Sequence, residues 1–313
     1  MNESVVPHSP AGEKFSIVCR SVLHYKKIVN PEHSLPDDND LSACPVVTSN
    51  VNYLDAMDVR PVFYAQQRRR DNLVLETRNI DVYDARGLKA PPSLETNGFT
   101  MVEHATAVGD FTAADDAQEI YRREIEQLIL ELTGAEKVIV LNTVLRWSEQ
   151  AGDKSTFVNS HPARFVHVDY SRKSFEEFAQ MQLSEANETH SHLERRFVAY
   201  NIWRVLTPPP QDVPLAVCDA RTTSPDDVTV GDAVIDSPNE PERRFESSLY
   251  HANPGHRWFW YSDMTPDEAL VFKAFDSDLD RVQGCPHSAF DSPDCPVNVP
   301  PRASAEIRAF AFY

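Results

Sequence analysis

From residue 79 to the C-terminus the chain is a succession of short β segments separated by turns and prolines. Residues 79–84 and 97–104 alternate polar and apolar side chains, the period of a half-buried strand. Residues 197–206 form a longer apolar run closed by Pro208, Pro209 and Pro210. Segments at 215–219, 246–250, 257–261, 269–275 and 303–313 complete the series. Connections this short favour antiparallel pairing in a sandwich or barrel over repeated βαβ units. The balance of 23 prolines against 9 glycines agrees, because proline fixes φ and suits edges and turns. It also leaves no glycine-rich loop of a type that cradles phosphate.

Helical periodicity is confined to a few places. Asp115 or Asp116 is placed to cap a helix ending at Gly134, with Tyr121, Ile125, Leu128, Ile129 and Leu132 on one face. A second, short helix is expected over 174–181. The apolar run 137–143 predicts a central strand. The expectation is a mainly β fold with flanking helices.

The 313 residues, 41% hydrophobic, can bury the core of one large domain. Residues 1–50 are expected to be an extension packed on that core, with 14–20 adding an edge strand, and 51–313 to be a single domain. A formal charge of −18 argues against nucleic acid as a partner. No long apolar stretch predicts a membrane span, and the N-terminal residues lack a leader pattern, so a soluble cytoplasmic protein is expected. Five scattered cysteines suit reduced thiols, with Cys285 and Cys295 as packing residues.

Chemistry concentrates at residues 164–171. Within an extended segment, His167 and Asp169 leave the same face and can grip one metal ion. Two histidines and one carboxylate, with the opposite positions open, is the arrangement of non-haem iron(II) oxygenases. His287, before the final strand, is the candidate third ligand. His190, His192 and Glu194 also alternate, but in polar surroundings that suggest a solvated turn. His251 and His256 are further alternatives, with turn positions as the plainer interpretation. On the last segment Arg302 and Ser304 share a face and could fork a carboxylate, and Arg308 follows on that face. Arg204 and Lys273, on predicted core strands, need partners if they point inward.

Residues 200–204, 214–221, 256–264, 267–277, 286–290 and 300–308 together resemble the AsaB-type hydroxylase/desaturase family, which includes gibberellin-desaturase-like and cephalosporin-methoxylase-like proteins of fungal biosynthetic clusters. The resemblance runs from about residue 79 onward. It implies a double-stranded β-helix (a cupin-like jelly roll), iron(II), 2-oxoglutarate and dioxygen. It also implies oxidation of an unactivated C–H bond of a small molecule in secondary metabolism. His167, Asp169 and His287 would ligate iron, and Arg302 or Arg308 would hold 2-oxoglutarate. Phe165, Tyr170, Asn201 and Arg204 are candidate substrate contacts, with an amino-acid-derived substrate one option. The alternatives are a non-catalytic cupin-like metal-binding module or scaffold, and a zinc hydrolase using the same ligands.

Overall fold

The computed structural model describes residues 41–113, 115–148, 161–237 and 240–313; the strand expected at 14–20 lies outside them. In chain order the first half contributes β1 (Val46–Leu54), β2 (Val62–Tyr64), β3 (Leu75–Asp84), β4 (Phe99–Glu103), α1 (Asp115–Thr133), β5 (Lys137–Val140), β6 (Val144–Trp147), β7 (His167–Val168) and α2 (Arg172–Glu185). The second half contributes β8 (Phe197–Val205), β9 (Leu215–Cys218), β10 (Val228–Ile235), β11 (Arg243–Tyr250), β12 (Trp258–Trp260), β13 (Glu268–Asp276), β14 (His287–Ala289) and β15 (Ala303–Phe312).

Two sheets form a double-stranded β-helix. The larger has the order β1, β3, β12, β9, β14, β7, β11, β10, β2; the smaller runs β4, β13, β8, β15, β5, with β6 also on β15. Pairing is antiparallel except for β2 with β10 and β3 with β12. Between the sheets, Trp203, Val205 and Phe272 of the smaller meet Val217 and Phe259 of the larger. Across the outer face of the smaller sheet, Tyr121, Ile125 and Ile129 of α1 pack on Tyr200, Ile202 and Ile307. Covered on both faces, β8 is buried at all nine positions.

The sequence expectations need correction at two points. Leu132 remains 36% exposed, so the apolar face of α1 ends a turn earlier than its spacing suggested. Residues 137–143 supply β5, an edge strand rather than a central one. Its apolar character answers to α1 lying across it, not to neighbours on both sides. Among the described residues no helix is long and apolar enough to cross a membrane.

Two local devices shape the region around β7. Ser171 caps α2 in a capping box with Ser174, and its hydroxyl also donates to Glu246 Oε2 at 2.8 Å. The chain is thereby pinned two residues after Asp169. Gly284 packs so closely that a Cβ there would stand 2.6 Å from the Ala274 carbonyl oxygen and 2.8 Å from Val168 Cγ1. Only glycine lets the strand carrying His287 approach β7 this way.

Candidate metal centre

Strands β7 and β14 are neighbours, and His287 stands directly opposite His167 in their antiparallel pairing. Opposed residues bring their Cβ atoms to about 4.5–5.5 Å. Here the ring centroids are 4.4 Å apart. Asp169, just past the end of β7, places Oδ1 3.8 Å from His167 Nε2. All three side chains are buried, and their potential ligand atoms lie within 4.8 Å of one another. The three residues singled out in the sequence therefore converge, and the donor set suits a divalent cation.

Both imidazoles are oriented for ligation. His167 Nδ1 lies 2.9 Å from the Phe165 carbonyl and His287 Nδ1 lies 3.1 Å from that of Cys285. A carbonyl can only accept, so each Nδ1 carries the proton and each Nε2 keeps its lone pair for a metal. Burial, reinforced by the neighbouring His287, lowers the His167 pKa to about 4. Burial likewise lowers that of His287. Both rings are neutral at ordinary pH, as ligation requires.

Asp169 is held from the facing sheet. Arg308 donates through Nε to Oδ2 at 2.8 Å and through Nη2 to Oδ1 at 3.1 Å, and Asn201 Nδ2 donates to Oδ2. Burial alone would raise the Asp169 pKa, but Arg308, then the two imidazoles, holds it far below the ordinary carboxylate value. Arg308 also donates to Glu306 Oε1 at 2.6 Å, and Arg146 Nε donates to Glu306 Oε2 at 3.1 Å. The result is an alternating chain of charge running from the Asp169 carboxylate along β15.

Arg302, at the start of that strand, differs from its neighbours. Its side chain is buried at 2% exposure, its guanidinium lies 5.5 Å from the Trp203 ring, and Nη1 donates to Ser304 Oγ. Its Nε has no hydrogen-bond partner, and no carboxylate of the described residues stands within ion-pair distance. Burial, with Arg146 adding repulsion, lowers its pKa to about 9. An anion is the natural complement.

Comparison with known proteins decides the family. The oxidoreductase/YMDC permease-like domain matches residues 51–312. The hydroxylase/desaturase CTB9 of Cercospora beticola is 33% identical, over 76% of this chain and 77% of that protein. The hydroxylase/desaturase efuI of Hormonema carpetanum is 32% identical, over 86% and 96%. Among solved structures, the iron and alpha-ketoglutarate-dependent endoperoxidase NvfI superposes with a TM-score of 0.74 at 26% identity, covering 86% of this chain and 98% of that one. The chain belongs to this family of iron(II)/2-oxoglutarate-dependent oxygenases.

Membership brings iron(II), 2-oxoglutarate and dioxygen as the reacting partners. The residues present fit them: two neutral Nε2 donors and a carboxylate for the metal, and a buried, under-partnered guanidinium for an anionic co-substrate.

The remaining expected site residues divide. Phe165 packs beside His167 with centroids 5.0 Å apart, and Asn201 touches Asp169. Tyr170 packs in an aromatic cluster with Phe175 and Phe310. Arg204 lies apart from these. It projects to the opposite face of β8, where Nε donates to Tyr121 Oη at 3.0 Å and Nη1 to the Pro266 carbonyl at 2.9 Å. Strand periodicity puts it with Tyr200 and Ile202 under α1, where it ties helix to sheet on the face away from Asn201. Lys273, fully buried, finds Asp276 at 2.8 Å.

The rival histidines are otherwise engaged. His190 and His192 lie on an exposed 3₁₀ turn. His251 uses both ring nitrogens, on the Leu54 carbonyl and Thr229, and His256 uses its two on Tyr53 and Asp227. Glu306 was the signal underused in the sequence, since period two places it between Ser304 and Arg308 on one face.

Proposed function

We propose that His167, Asp169 and His287 hold the iron(II) of this oxygenase, and that Arg302 and Ser304 hold the distal carboxylate of 2-oxoglutarate. The observation that carries this reading is the convergence of two neutral Nε2 donors and a carboxylate, with a buried guanidinium on the facing sheet that has no anionic partner among the described residues. Residues 51–313 are read as the domain that carries the site.

Bound iron(II), with 2-oxoglutarate and dioxygen, supplies the oxidising power to break an unactivated C–H bond of a small molecule, giving hydroxylation, desaturation or ring closure. The protein's own groups do the rest. Arg308 and Asn201 hold Asp169 in one orientation, so the carboxylate does not reorganise when the metal binds. The Phe165 and Cys285 carbonyls hold the imidazoles. Phe165 against His167, and Phe272 at 4.7 Å from His287, exclude water around the ligands. A non-catalytic metal-binding module would leave the buried charge of Arg302 without a purpose. A zinc hydrolase would need a free general base, and Glu306 is committed to Arg146 and Arg308.

The test is aerobic incubation with iron(II) and 2-oxoglutarate. Slow succinate release by the wild type, lost in a folded His167→Ala variant, supports the assignment. Equal release by both proteins contradicts it.

A further inference from the structure

Beyond the co-substrate anchor, the two sheets bring a second pair of guanidiniums together at one edge of the site. Arg146 on β6 stands directly opposite Ser304 in the antiparallel pairing, so it shares the inner face with Arg302, Glu306 and Arg308. It donates through Nη1 to the His161 carbonyl at 3.2 Å. Arg68, in the turn following β2 of the larger sheet, donates through Nη2 to that same carbonyl at 2.8 Å and to that of Pro162 at 2.9 Å. Two cations from opposite sheets thus flank one oxygen.

The surroundings tie this pair to the metal centre. Phe63 of β2 packs on Phe165 with centroids 5.0 Å apart, and Phe165 packs on His167 at the same separation. Arg68 is largely withdrawn from solvent, and no carboxylate of the described residues lies within ion-pair distance of it. Burial, then repulsion from Arg146, holds its pKa below the ordinary guanidinium value. Arg164 stands near both Arg68 and Arg302 but is matched by Asp291 at 2.8 Å. In a chain carrying eighteen excess negative charges, the local surplus of cations among the described residues runs against the whole. A divalent metal and dianionic 2-oxoglutarate offset each other, so their binding would leave the surplus in place.

We propose that Arg68, with Arg146 across from it, forms a subsite for a carboxylate of the primary substrate, so that this oxygenase acts on a small organic acid. The Arg68 Nε and Nη1 groups bond neither carbonyl and lie on different edges of the guanidinium, so each offers a carboxylate oxygen a single charge-assisted hydrogen bond. This rests on the oxygenase reading above and adds the class of molecule it oxidises.

The experiment uses the full chain loaded anaerobically with iron(II) and saturating 2-oxoglutarate, with benzoate and benzamide as a matched probe pair followed by saturation-transfer NMR. The chelate's visible absorption is recorded in the same samples. A wild type without that absorption removes the oxygenase reading, whereas the probe comparison addresses Arg68 separately. The expected result is a preference for benzoate of about tenfold or more, the scale of one hydrogen bond to a charged group. Arg68→Lys keeps the preference. Arg68→Gln, which removes the charge, loses it. A purely structural Arg68 would leave the ratio of the two affinities unchanged in Arg68→Gln. That outcome, equal binding of both probes by the wild type, or loss of the chelate absorption on adding benzoate overturns the proposal.

Discussion

Replacing Arg302 by methionine should move stability and co-substrate affinity in different directions. The guanidinium is buried at 2% exposure, leaves Nε unpaired and has no carboxylate partner among the described residues. A buried unpaired donor costs about 1–3 kcal/mol, and exchanging a buried charge for an apolar side chain of similar volume is commonly neutral or stabilising. Loss of the cation over Trp203 offsets about 0.5–2 kcal/mol of that gain. The protein without metal or co-substrate should therefore unfold at the wild-type urea midpoint or slightly above it. Affinity for 2-oxoglutarate behaves otherwise, because a bidentate fork makes two charge-assisted bonds of about 1.5–3 kcal/mol each. Taking the lower value for both gives about 3 kcal/mol, a loss on the order of a hundredfold. Calorimetric titration of manganese(II)-loaded protein measures the affinity, and fluorescence-monitored urea unfolding measures the stability. Unchanged affinity, or destabilisation beyond about 3 kcal/mol, would refute the assignment, the second by showing that Arg302 serves an internal partner.

Arg308→Leu should destabilise the metal-free protein by about 3–5 kcal/mol in urea unfolding, since it strips the buried Asp169 carboxylate of its cation and leaves Glu306 with Arg146 alone; a cost below about 1 kcal/mol would show the network to be incidental. Gly284→Ala should cost about 1–3 kcal/mol, because the new methyl overlaps the Ala274 carbonyl and Val168, and should weaken cobalt(II) binding by displacing His287. His256→Ala should lower the urea midpoint, leaving Tyr53 and Asp227 without their partner, yet cobalt(II) affinity should stay at the wild-type value. A loss of affinity there would make His256 a ligand in place of His287.

How far the site could be seen in the sequence depended on whether one strand or two were involved. The pairing of His167 with Asp169 follows from period two on one segment, and the face shared by Arg302, Ser304 and Arg308 follows from the same rule on another. What Arg308 binds was not legible, because Asp169 comes from the opposite sheet. His287 faces His167 through strand register, which hydrophobic pattern leaves open for segments of two and three residues. The direction taken by Arg204 was hidden for a related reason. Period two sets it against Asn201, but only the placement of α1 tells which face of β8 is which. The apolar run at 137–140 misled similarly, since a helix across an edge strand buries it as well as a second neighbour would.

The central claim is that one ferrous ion sits between His167, Asp169 and His287 with 2-oxoglutarate beside Arg302. Anaerobic titration of the metal-free protein with iron(II) and then 2-oxoglutarate tests it most directly. The expected result is a weak visible charge-transfer band that saturates at one equivalent of each and is absent in His287→Ala. Folded, iron-loaded wild-type protein that develops no such band would contradict it.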